Sequence, residues 1–147
     1  MTAFTVHQTD WATDGGPLSA IRRSVFIEEQ GVPEALEWDS DDSTSIHLLA
    51  LTLEGEPIGC ARLLPDGHIG RMAVIPHWRC LGVGTALLSA ALGAARAQGH
   101  ARVKLSAQLH AAGFYTLAGF ETIGGEYLEA GIPHVAMQFT LHSRNSS

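Results

Sequence analysis

The residues Arg79-Cys80-Leu81-Gly82-Val83-Gly84-Thr85 have the types and spacing of a turn that cradles phosphate. They follow a strand-like run ending Met72-Ala73-Val74-Ile75-Pro76 and lead directly into helical periodicity. Unpaired N–H groups in the first turn of a helix together carry about half a positive charge and attract a pyrophosphate. Gly82 and Gly84 would let phosphate oxygens approach the backbone where a Cβ would obstruct them, and Arg79 adds a charged donor. Two other phosphate loops do not fit. A triphosphate loop ends in Gly-Lys-Ser/Thr, whereas this turn runs Gly84-Thr85-Ala86 without lysine. A dinucleotide fingerprint needs a third glycine and an acidic residue about 20 positions on. Here Leu87 takes the glycine's place, and residues 100–106 hold no Asp or Glu.

Other reactive groups are sparse. Cys60 and Cys80 form no Cys-x-x-Cys pair and have no nearby His-based motif, so they are expected as free thiols in small apolar packing rather than as acyl carriers. The eight histidines include no pair at i and i+4 and no His-Glu-x-x-His, so no metal is expected. Formal net charge is −6, yet Glu28, Glu29, Glu34, Glu37, Asp39, Asp41 and Asp42 put −7 into one window that has no Lys or Arg. The remaining chain is close to neutral. Without clustered cations, nucleic acid is excluded as a partner. No apolar run reaches the roughly 18 residues of a membrane span, and Met1-Thr2-Ala3-Phe4-Thr5 lacks a secretory pattern, so a soluble cytoplasmic protein is expected.

These residues need elements to position them. With 147 residues, 46% of them apolar, one domain over residues 1–147 is expected. The pattern predicts a strand over Phe4 to His7, a helix opened by Pro17 with Leu18, Ile21 and Val25 on one face, and a short helical piece near Glu34 to Trp38. A meander follows over Ile46 to Leu53, Pro57 to Leu64 and His68 to Ile75, with turns at Glu54-Gly55 and Asp66-Gly67. Val83 to Gln98 is the strongest amphipathic helix, and Gly99 suits its C′ position. A strand over Ala101 to Ser106, a helix over Gln108 to Ala118 and strands over Phe120 to Ile123 and His134 to Leu141 complete the chain. The polar tail Ser143 to Ser147 is expected to fray. Strands on both sides of an internal helix imply a mixed sheet with helices on its faces.

The turn resembles the Arg/Gln-x-x-Gly-x-Gly/Ala signature of the GCN5-related N-acetyltransferases (GNAT). Ala111-Ala112-Gly113-Phe114-Tyr115-Thr116-Leu117-Ala118-Gly119-Phe120 is similar to that family's second motif, and Arg22-Arg23-Ser24-Val25-Phe26-Ile27-Glu28-Glu29-Gln30-Gly31-Val32-Pro33 to the N-terminal signature of its ElaA/YjcF-like branch. The resemblance covers roughly residues 4 to 141. It implies an α/β (α+β) GNAT fold, with a mixed, mostly antiparallel sheet of about six to seven strands and helices on both faces. It also implies an acetyl-CoA-dependent N-acetyltransferase acting on a small amine, with room for a homodimer. A non-catalytic acyl-CoA-binding or sensor domain is the alternative.

On this resemblance, Met72, Ala73 and Val74 offer backbone groups to the pantetheine arm, and the Val74 N–H polarises the thioester carbonyl. Arg79, Cys80, Leu81, Gly82, Val83, Gly84 and Thr85 hold the pyrophosphate, and Gln108 and Phe114 also meet the cofactor. Ser106 stands where many relatives carry Asn or His. Tyr115 matches the tyrosine that protonates or hydrogen-bonds the departing thiolate. An alkylamine with pKa near 10.4 is neutral in only about one molecule in 2,500 at pH 7, so a base is useful. Glu29 occupies the family's glutamate; Glu28 is equally close to the helix face, and only the resemblance separates them. His134 and His47 are rival bases. The acidic window falls where the family builds its acceptor wall, which suits a cationic acceptor.

Overall fold

The computed structural model describes residues 3–141; Met1, Thr2 and residues 142–147, which include the polar tail from Ser143, lie outside the described residues. One seven-stranded sheet runs β1-β2-β3-β4-β5-β7-β6. Its strands are β1 Phe4–Thr9, β2 Ile46–Thr52, β3 Pro57–Leu63, β4 His68–Val74, β5 Arg102–Gln108, β6 Glu121–Glu129 and β7 Ile132–Thr140. Every neighbouring pair is antiparallel except β4 and β5. Among the described residues no helix is long and apolar enough to cross a membrane.

Helices cover both faces, as the alternating pattern implied. Helix α3, Val83–Ala97, buries Val83, Leu87, Leu88, Ala91, Ala94 and Ala95 against Leu48, Ile58 and Leu63 of the sheet. It approaches β3 so closely that a Cβ on Gly59 would stand 3.0 Å from both Leu87 Cδ1 and Val83 Cγ1. On the opposite face Leu18, Ile21 and Val25 pack against Leu49, Cys60 and Ala73.

Helix α1, Trp11–Arg22, starts six residues before the expected Pro17, because the Asp10 carboxylate caps it by accepting from the Thr13 N–H at 2.8 Å. Asp14 breaks the helical geometry (φ −126, ψ 24), and Pro17 lies in the run that follows this kink. The helix then continues as a π-helical turn over Arg23–Glu29, where the Gln30 N–H reaches Val25 O at 3.1 Å. Helix α2 spans Glu34–Glu37, and a 3₁₀ turn at Ser40–Thr44, absent from the sequence reading, joins it to β2.

Three further boundaries move. The helix expected from Gln108 is a 3₁₀ turn at Leu109–Ala111 followed by α4, Ala112–Leu117, because β5 runs on to Gln108. Strand β1 extends to Thr9, pairing His47. Strand β6 continues past Ile123 to Glu129 by bulging at Gly124 (φ +78), a break that hid its second half.

Strands β4 and β5 pair only at His68↔Lys104 and Ile69↔Leu105, then part. A bulge marks the parting: two β4 residues, Arg71 and Met72, face one of β3, and Arg71 takes φ +46.

Candidate functional site

The parted strands open a cleft of about 1010 Å³. Its walls come from the π-helical turn, the bulged part of β4, the end of β5 and the β6–β7 hairpin. Met72, Arg79, Gln108, Tyr115, Glu29 and His134 all line it, although they are spread over more than a hundred residues of sequence.

Helix α3 opens beside this cleft with no side-chain cap, and its first intrahelical bond runs from the Ala86 N–H to Gly82 O at 3.0 Å. The N–H groups of Val83, Gly84 and Thr85 therefore lack helical partners. Gly82 takes φ +92 and Cys80 φ +62, which bend the chain into the helix. Gly84 lies inside the helix without a positive φ, and a Cβ there would meet the Phe114 ring at ordinary contact distance, 3.6 Å from Cζ and 3.8 Å from Cε1. Nothing inside the chain demands a glycine, which costs about 1 kcal/mol in a helix relative to alanine.

Arg79 is placed differently from a free phosphate donor. Its Nε donates to Val74 O at 2.8 Å, while Nη1 and Nη2 grip Glu29 at 2.8 and 2.6 Å. The pair ties the phosphate turn, β4 and the π-helical turn together. Hydrogen bonding from Arg79 holds the Glu29 carboxyl below its usual value, which weakens it as a base.

The exposed edge of β4 is set by register. The Ile75 N–H bonds to Ile58 O at 3.0 Å and Ala73 lies opposite Cys60, so alternation turns the backbone N–H and C=O of Val74 toward β5. Tyr115 sits across the cleft with its ring edge-on to Phe114 and Phe120, and its hydroxyl meets only Met72 Sδ at 3.7 Å. Burial pushes this phenol up to about 12. Gln108 donates from Nε2 to Gln30 Oε1 at 2.9 Å across the cleft.

Of the rival bases, His47 faces away from the cleft. It is buried against Trp11, its Nε2 lies 2.9 Å from Asp42 O, and burial lowers its proton affinity. His134 lines the cleft, 6% exposed, with Nδ1 2.6 Å from Ile132 O. A carbonyl oxygen can only accept, so Nδ1 carries a proton, and in the neutral ring the lone pair is the one on Nε2. Cys60 is buried and pushed up to about 12, which makes it inert as a nucleophile; Cys80 is exposed on the turn.

The acidic window is not a free negative wall. Glu29 pairs with Arg79, Glu34 with Arg23, Glu37 with Arg22 and Arg71, Asp39 with Arg62 and Arg71, and Asp42 with Arg22 and Arg62. The Arg22 guanidinium is also sandwiched between Trp11 and Trp38, at 5.3 and 5.1 Å from their ring centroids. Five arginines from elsewhere in the chain thus offset most of the charge. The sequence had placed Glu37 at the acceptor wall only as part of the acidic window, and Arg71 and Glu129 on the cleft wall went unread. Only Glu129 had a local signal: the Ala130-Gly131 turn, both residues at positive φ, folds β6 onto β7 and brings Glu129 back toward His134.

The cleft thus opens where the parallel strands β4 and β5 part, with the uncapped start of α3 beside it. The family model for the acetyltransferase (GNAT) domain matches residues 11–141. The chain belongs to the GNAT family. This GNAT domain is 35% identical over 121 residues to the uncharacterised N-acetyltransferase YjcF of Bacillus subtilis, across 80% of this chain and 86% of YjcF. It superposes on an acyl-CoA N-acyltransferase from Pseudomonas aeruginosa with TM-score 0.83 at 31% identity, covering 92% of this chain and 99% of that one. Escherichia coli ElaA gives TM-score 0.82 at 29% identity with the same coverage. The protein is a GNAT-type N-acetyltransferase of the ElaA/YjcF-like branch.

Proposed function

We propose that the protein moves an acetyl group from acetyl-CoA directly to the primary amine of a small acceptor bound in the cleft. The observation that supports this is the parting of β4 from β5 beside the uncapped start of α3, which leaves the Val74 N–H on a strand edge and the Tyr115 side chain on the cleft wall. The backbone from Cys80 to Thr85 cradles the pyrophosphate, and Arg79 braces that turn. Met72, Ala73 and Val74 flank the pantetheine, with Gln108 and Phe114 beside it. A second groove of about 460 Å³ between α3 and α4, lined by Thr85, Ser89, Arg96 and Phe114, takes the adenosine end, with Arg96 as its one cation.

Chemistry then follows from position. His134 Nε2 takes one proton from the acceptor ammonium, leaving a neutral amine whose lone pair attacks the thioester carbon. The Val74 N–H steadies the developing oxyanion. As the C–S bond breaks, the new amide nitrogen gives up its second proton, which ends on sulfur as the thiol of CoA. The Tyr115 hydroxyl hydrogen-bonds that sulfur. With the phenol at about 12 and a thiol near 8.5, full donation would run uphill by about 5 kcal/mol, so hydrogen bonding is its main part. His134 releases its proton to solvent. Glu29, already paired to Arg79, serves as a brace.

Thiol release from acetyl-CoA against a panel of amines tests the reading. Turnover with at least one amine is expected; acetyl-CoA binding without turnover on any amine would favour the sensor alternative.

A further inference from the structure

Three carboxylates line the cleft: Glu29, Glu37 and Glu129. Two are committed to arginine, Glu29 to the fork of Arg79 and Glu37 to Nε of both Arg22 and Arg71. Glu129 pairs with no Lys or Arg among the described residues. Its Oε1 accepts from the Ser106 hydroxyl at 3.3 Å, and its Oε2 lies 3.8 Å from His134 Nε2. The side chain is 53% exposed at the end of β6, so it is open to an arriving solute. Tyr127, two residues earlier and therefore on the same face of the strand, stacks on His134 with centroids 6.2 Å apart, and its hydroxyl bonds to Ser106. His134 lies opposite both Tyr127 and Gln108 in the ladder, which fixes the imidazole between hairpin and β5.

A carboxylate with no Lys or Arg partner among the described residues, an aromatic ring and an imidazole whose Nδ1 is tied to a carbonyl together suit a small cation with N–H donors. We infer that Glu129 receives the acceptor as its ammonium ion, beside Tyr127, and presents one N–H to Nε2 of His134. The inference rests on the acyl-transfer reading of the cleft. It names the acceptor class: primary alkylamines, which are cations at neutral pH, in preference to weakly basic aromatic amines, which are not. The cationic preference comes from the hairpin and not from the arginine-neutralised acidic window. It also sets which kinetic constant responds. A carboxylate stabilises the ammonium and not the neutral amine that attacks, so its contribution belongs to binding.

The test compares wild type with Glu129→Gln and Glu129→Lys in the thiol-release assay, using a primary alkylamine that wild type acetylates and an aromatic amine of similar size. For Glu129→Gln the alkylamine KM is expected to rise about 10-fold, with kcat and the acetyl-CoA KM changed less than about 2-fold. For Glu129→Lys saturation by the alkylamine should be lost. Added salt should raise the alkylamine KM of wild type and leave that of Glu129→Gln flat, which decides the matter even when the aromatic amine is no substrate. Equal losses on both amines, a fall in kcat at constant KM, or unchanged kinetics would overturn the inference while leaving acyl transfer intact. A wild type inert on every amine would overturn the acyl-transfer reading itself, and this one with it.

Discussion

Replacing Arg79 by alanine separates two jobs that its position could serve. A phosphate ligand would act only on donors that carry the pyrophosphate. A brace acts through Val74 and Glu29, whatever the donor. The side chains of Arg79 and Glu29 are 38% and 40% exposed, so their ion pair contributes at most about 1 kcal/mol to stability, and Tm should fall by only a few degrees. The charge-assisted bond to Val74 O contributes about another 1 kcal/mol to holding the β4 edge, which corresponds to roughly a 5-fold loss in kcat/KM. The assay is steady-state transfer from acetyl-CoA and from S-acetylpantetheine, which lacks the pyrophosphate. Arg79→Ala should lose the same factor with both donors. Glu29→Ala should lose part of it, and the double variant should lose no more than Arg79→Ala, because the two side chains act as one unit. A loss of 10-fold or more confined to acetyl-CoA would refute the brace and make Arg79 a phosphate ligand.

Tyr115→Phe should lower kcat by roughly 10- to 100-fold with little change in either KM, the worth of one hydrogen bond to a thiolate in a dry site; an unchanged kcat removes Tyr115 from the step. Arg22→Met removes one of the two arginine partners of each buried carboxylate, leaving Glu37 to Arg71 and Asp42 to Arg62, and should cost about 3 kcal/mol in urea denaturation; a loss below about 1 kcal/mol would show that the network relaxes without it. His47 is held below its ordinary 6.5 by burial, so beneath that pH the unfolded chain binds a proton that the folded chain refuses. Stability should therefore be highest above pH 6.5 and fall as acid is added toward the depressed native value, before the lowered carboxylates Glu29, Glu34 and Asp39 begin to matter. His47→Gln should flatten Tm against pH over that upper window, and an unaltered slope would assign the effect elsewhere.

The parts of this fold that were legible in the sequence are those whose signal is local. Helix α3 shows its buried face at 3.6-residue spacing, the β2–β3 hairpin has its turn glycine, and the phosphate turn needs Gly82 at a φ only glycine adopts freely. Elements with competing local signals were misplaced. Pro17 announces a helix start, but the Asp10 cap, seven residues earlier, has already begun one. Strand β6 is exposed along its whole length, so no alternation of apolar and polar residues marks it, and only its pairing to β7 defines it.

The site divides along the same line, and the division explains why charge was misread. Residues 28–42 look like an acidic wall because the sequence displays carboxylates without their partners. Their partners Arg22, Arg62, Arg71 and Arg79 arrive from α1, β3, β4 and the turn, up to 50 residues away. Once those pairs form, a carboxylate's position in the charge run says nothing about its availability. Glu37 ends buried among arginines, where burial raises its carboxyl above the usual value, while Glu129, isolated in sequence, ends facing an imidazole with no Lys or Arg partner among the described residues. What a carboxylate can offer a substrate is decided by tertiary pairing rather than by local density. On the proposed acyl-transfer reading, the acceptor's charge is therefore sought at the β6–β7 hairpin, and the donor's phosphates at the helix start that the glycine turn announces.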